Sequence, residues 1–140
     1  MPGIAGVICS ESRNDCDRLI DAMIASMLHE KSYLSGTHFV PAMGIYAGWV
    51  AHKNSFAANQ VFFNEDQDIG LIFSGECFVD PQVLTGLRQK GHELSKTGGD
   101  WLVHSMKKKG DLFFEKLNGL FSGLLIDKRK GKSFLLMSKQ

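Results

Sequence analysis

The chain has 140 residues, 44% hydrophobic and 22% charged, with a formal net charge of +1. That length suits one domain with a real core, and near-neutrality removes any general electrostatic case for nucleic acid or an anionic membrane. No apolar run approaches the roughly 18 residues of a bilayer span, and the start lacks the basic and apolar regions of an export signal, so a cytoplasmic location is expected.

Residues 3–9 read as a short, nearly all-apolar strand, and residues 10–14 as a polar loop. From 15 to 29 the apolar residues fall at Leu19, Ile20, Met23, Ile24, Met27 and Leu28, one face of a helix. Residues 30–41, with Ser35, Gly36 and Pro41 and no period, read as a long connection of the kind that carries functional loops. Three strands follow at 45–50, 60–63 and 68–73, rich in β-branched and aromatic residues, with 64–68 as a hairpin turn.

Asp80-Pro81 has the form of a helix start, with Asp as N-cap and Pro at the first helical position. Val83, Leu84 and Leu87 form its buried face, and Gly91 is its left-handed stop. A second helix starts at Asp100, turns Leu102, Val103 and Met106 inward, and ends in Lys107 to Lys109 before Gly110. Basic residues suit the negative end of a helix dipole, which makes the lysine run a solvated helix end. A short helix at 111–117 precedes a closing hairpin, 119–127 and 133–137, turning at Gly131. Strands and helices are segregated, which predicts an α+β fold with antiparallel sheets.

Cys9, Cys16 and Cys77 are odd in number and lack metal-ligand spacing, so reduced thiols are expected, with Cys9 and Cys77 as small core hydrophobes. The five histidines, His29, His38, His52, His92 and His104, are scattered without HxxxH or CxxC pairing, and neither a metal nor a cofactor is expected.

Five segments, in order along most of the chain, resemble one family. Met1-Pro2-Gly3-Ile4-Ala5-Gly6 is similar to an opening Met-Cys-Gly-Ile-Ala-Gly, and Ser74-Gly75-Glu76-Cys77-Phe78 to Asn-Gly-Glu-Ile-Tyr. Leu87 to His92 resembles Leu-Arg-x-x-Gly-His, Thr97 to Asp100 a Thr-x-Ser-Asp turn, and Leu117 to Ser122 Leu-Asn-Gly-Met-Phe-Ala. The family is the glutaminase domain of asparagine synthetases, class II glutamine amidotransferases with an N-terminal nucleophile hydrolase fold. The resemblance implies a four-layer αββα sandwich of antiparallel sheets over residues 1–140, incomplete at its C-terminal end and without the synthetase domain.

In that family the initiator Met is removed. The exposed Cys attacks the glutamine side-chain amide, and its own α-amino group serves as base. Here the position is Pro2, which has no heteroatom to form a thioester. By resemblance, Gly75 corresponds to the glycine whose N–H faces the oxyanion, and Ser74 replaces the asparagine that supplies the other donor. Glu76 and Asp100 correspond to the acidic pair that holds the substrate ammonium. The arginine that clamps the substrate carboxylate has no counterpart in the corresponding stretch, Gly48 to Lys53, where Lys53 is the only fixed cation. A lysine is a point charge, not a bidentate fork.

Two readings of Asp100 stand together, helix N-cap or substrate contact, and two of Glu76, backbone hydrogen bonding or substrate contact. The expectation is a degenerate glutaminase-like domain with a structural, interaction or residual amino-acid-binding role, partnered by a synthetase domain or subunit, or by itself. The alternatives are an active amidotransferase using a non-standard nucleophile, and an enzyme using the Pro2 amine as base. Weak glutamine or glutamate binding is expected, and neither nucleic acid nor membrane.

Overall fold

The computed structural model describes residues 2–10, 13–55, 58, 61–94 and 99–138. Seven strands form two antiparallel sheets, one of three strands in the order β1-β3-β2 and one of four in the order β4-β5-β6-β7. The first contains β1 (Gly3–Ile8), β2 (Tyr33–Val40) and β3 (Ile45–His52), and the second β4 (Val61–Phe63), β5 (Ile69–Phe78), β6 (Asn118–Asp127) and β7 (Lys132–Met137). Helix α1 (Arg13–Met27) covers the three-stranded sheet, and α2 (Pro81–Gln89) and α3 (Asp100–Lys109) cover the other. The α+β expectation holds, and the layering is that of an αββα sandwich.

The alternation of β3 builds the layers. Ala47, Trp49 and Ala51 turn toward Ile72 of the facing sheet, while Tyr46 and Val50 turn toward Ile20 and Ile24 of α1. On the other side of β5, Leu71 and Phe73 pack with Leu102, Val103 and Leu125, all fully buried, in the largest cluster. Burying each such side chain contributes on the order of 1.5–3 kcal/mol.

The hairpin turn at 64–68 is fastened by Asn64, whose Oδ1 accepts from the N–H groups of Asp68 and Ile69. Asp80 caps α2 as expected, accepting from the Gln82 N–H at 2.9 Å. Helix α3 differs: its N-cap is Gly99, so Asp100 is the first helical residue.

Residues 30–41, expected as a connection, contain the eight-residue strand β2. Its polar and glycine content hid it, and Gly36 is required by a neighbour. A Cβ there would lie 2.3 Å from the Trp49 ring, which fills the space above the strand. Strand β5 runs five residues past the expected end, through Ser74, Gly75 and Glu76, because β6 pairs with its whole length. Cys9 and Cys16 are joined as a disulfide, against the expectation of reduced thiols. The first strand's end and the first turn of α1 bring them together, with a Cα separation of 6.7 Å. Cys77 remains a free, buried thiol.

Candidate functional site: the cleft at the start of the first strand

Pro2 stands immediately before β1, where its missing N–H costs the sheet no ladder bond. Gly3 pairs with Val50 of β3, so the chain start lies at the far end of the sheet's central strand. Between it and the four-stranded sheet is an open cleft of about 270 Å³, lined by Pro2, Gly3, Ser74, Gly75, Leu120, Phe121, Ser122 and Ser138. Three positions singled out by the resemblance, Pro2, Ser74 and Gly75, therefore line one cleft.

The wall is made by close pairing of β5 and β6. Ser74 faces Ser122 and Gly75 faces Phe121 across the ladder. Gly75 has φ +118°, and a Cβ there would meet the Leu120 carbonyl oxygen at 2.2 Å. Only glycine fits this approach. Ser74 is buried, and its hydroxyl donates to the Val50 carbonyl at 3.4 Å. Ser138 closes the floor, its N–H donating to the Phe121 carbonyl and its hydroxyl accepting from the Phe121 N–H. Among the described residues the lining offers hydroxyls and backbone amides, with no ionisable side chain.

The other three positions lie outside the lining. Glu76 follows on β5, exposed, on the same strand face as Ser74. Lys53 is exposed in the turn after β3, its N–H donating to the Ser32 carbonyl. Asp100 begins α3 in the helical layer, where its charge favours the protonated form of His104. Thr97 and Gly98 of the quoted turn lie outside the described residues.

No cysteine supplies a thiolate to the cleft. Cys9 and Cys16 are bonded to each other, and Cys77 packs among the helix-facing core residues, where burial pushes its thiol up to about 11. Ser122 and Ser138 are lining residues that sequence reasoning missed. Ser122 lay inside a quoted segment without a role, and Ser138 reaches the cleft only because β7 pairs back along β6. The histidines are also less scattered than they read: His92 and His104 meet beside Glu65, at the β4–β5 turn.

Two antiparallel sheets stacked between helices, with the second residue opening onto a cleft walled by the facing sheet, define the class as a layered αββα protein. The chain belongs to the glutamine amidotransferase domain family, whose model matches residues 1–139. A comparison with curated proteins gives no match.

Proposed function

We propose that this domain is a glutaminase-type fold that does not hydrolyse glutamine and serves as a partner-facing domain of an asparagine synthetase-related system. One observation supports the reading: Pro2 lines the cleft with Gly75, and by the resemblance it stands where those enzymes carry their nucleophilic Cys. Pro2 has neither a thiol nor a hydroxyl, so its side chain cannot attack the amide as that Cys does. The second oxyanion donor is weakened as well, because the Ser74 hydroxyl is engaged with the Val50 carbonyl.

Loss of a nucleophile costs about 10⁶ in turnover where it has been measured in subtilisin. Ammonia release from glutamine is therefore expected at background for the native protein. Intact mass would establish the mature N-terminus in the same sample. Turnover that survives thiol alkylation would overturn the reading, and turnover abolished by Cys9→Ala would restore a displaced nucleophile. With no ionisable side chain among the described lining residues, glutamine in the cleft is left few charge-assisted bonds, each contributing on the order of 1.5–3 kcal/mol. Micromolar binding by calorimetry, lost in Asp100→Asn, would show a rebuilt clamp.

The partner-facing role is supported by two unpaired strand edges. Strands β1 and β7 are each last in their sheet and flank an apolar groove of about 490 Å³, lined in part by Ile4, Val7, Leu124 and Leu135. Leu135 and Met137 are about two-thirds exposed on β7. An unpaired apolar edge is a template for strand addition, and a second copy of the chain is the proposed occupant. Light scattering should give a mass above the monomer, whereas a stable monomer at high concentration would remove this part of the reading.

A further inference from the structure

Away from the cleft, three metal-ligating side chains converge on one point. Glu65 comes from the turn between β4 and β5, His92 from the segment after α2, and His104 from the middle of α3. One ligand atom from each lies within 4.8 Å of the others. The His92 Nδ1 is 2.8 Å from Glu65 Oε1, the His104 Nδ1 is 3.9 Å from that same oxygen, and the two imidazole centroids are 4.7 Å apart.

The deciding atom is the His104 Nδ1. His104 is 4% exposed, and its Nδ1 is buried with no hydrogen-bond partner. An orphaned buried nitrogen costs free energy unless something satisfies it, and here it faces a carboxylate and a second imidazole. From these we infer that Glu65, His92 and His104 form a binding site for a divalent transition-metal ion of the zinc class.

The donor chemistry fits. Two imidazoles and a carboxylate are a recurrent zinc set, with the fourth position left to water. Bonds of about 2.0–2.1 Å in a tetrahedron set ligand atoms roughly 3.3 Å apart, between the 2.8 and 3.9 Å observed. Those two separations need shifts of under an ångström, and the widest, within 4.8 Å, must close by at most about 1.5 Å. On binding, the ion displaces the proton that His92 Nδ1 shares with Glu65 Oε1, and both imidazoles ligate through Nδ1 as the Nε2–H tautomer. The adjacent Lys107 ammonium is occupied 2.9 Å from Asp66. An ion here would reinforce the ties between the β4–β5 turn, α3 and the exit of α2, which the His92–Glu65 and Lys107–Asp66 contacts already join. This inference rests on the cluster alone and is independent of the glutaminase reading.

The test uses the full chain, free of any histidine tag, stripped with chelator and titrated with zinc by calorimetry. One zinc per chain is expected, with a thermal midpoint that rises on zinc addition and falls back with chelator. Glu65→Gln and His92→Gln alter less buried ligands, and each should weaken zinc binding at least about tenfold while the chain stays folded by circular dichroism. Cobalt should give the visible absorption of a four-coordinate site, lost in His92→Gln. Failure to bind zinc, or binding unchanged in both variants, overturns the inference.

Discussion

The cleft at Pro2 and the histidine pair beside Glu65 lie toward opposite faces of the four-stranded sheet, and they differ in kind. The cleft presents hydroxyls, backbone amides and a proline without a side-chain nucleophile. The cluster has reactive chemistry in a place the family resemblance assigned no role: two imidazoles and a carboxylate around an unsatisfied nitrogen. The difference teaches that membership of a family reports on the fold, which dozens of distributed contacts maintain, whereas activity hangs on single atoms that one substitution removes.

The sharpest way to break that contrast is at the glycines beside each region. Gly75→Ala in the cleft wall drives a Cβ into the Leu120 carbonyl at a φ that L-residues avoid, and should destabilise the domain by about 3 kcal/mol or more. Gly91→Ala, next to His92, also has a positive φ but nothing within 4 Å, and should cost only about 1 kcal/mol. Urea denaturation compares the two, and equal losses would show that the cleft wall is no more constrained than an open helix end.

Acid is the next probe. Burial lowers the folded pKa of His104, so the stability tied to its neutral form is full above the unfolded value near 6.5 and is lost as pH falls below it. Asp127, fully buried and gripped by Arg129 through its Nε and Nη2, has a lowered carboxyl pKa, and its share is lost only below about 4. Urea midpoints measured without metal should fall in two stages, and a flat profile from pH 7 to 5.5 would remove the buried neutral histidine.

Smaller still is His104→Leu in metal-free protein. Replacing an unsatisfied polar ring by an apolar group of similar size should raise stability by about 1 kcal/mol, read by thermal melting. A loss of similar size would mean that the nitrogen has a partner. Least of all, Leu135→Lys on the β7 edge should shift stability by under about 0.5 kcal/mol while lowering the mass seen by light scattering. An unchanged mass would place the contact elsewhere.

Local chemistry made much of this legible. The amphipathic run of α1, the Asp80-Pro81 start of α2, the stops at Gly91 and Gly110 and the turns at 64–68 and Gly131 each carry their cause within a few residues. Of the cleft, Pro2, Ser74 and Gly75 were legible because they sit in short motifs. Strand β2 was not, since its place follows from pairing with β3 and from the Trp49 ring over Gly36.

The sequence by itself thus determined the type of every strand and α-helix but β2, most of their ends, the core residues of α3 and the proline at the head of the first strand. Tertiary structure alone decided that Cys9 meets Cys16, that Ser138 folds back into the cleft, and that Asp100 stands as the first helical residue beyond its Gly99 cap. It alone brought Glu65, His92 and His104 to a single point. The physical reason is range: capping, turn chemistry and amphipathic periodicity act over three or four residues and are written in order, whereas a cross-strand register or a meeting of side chains 27 positions apart exists only once the sheet has fixed where each backbone runs.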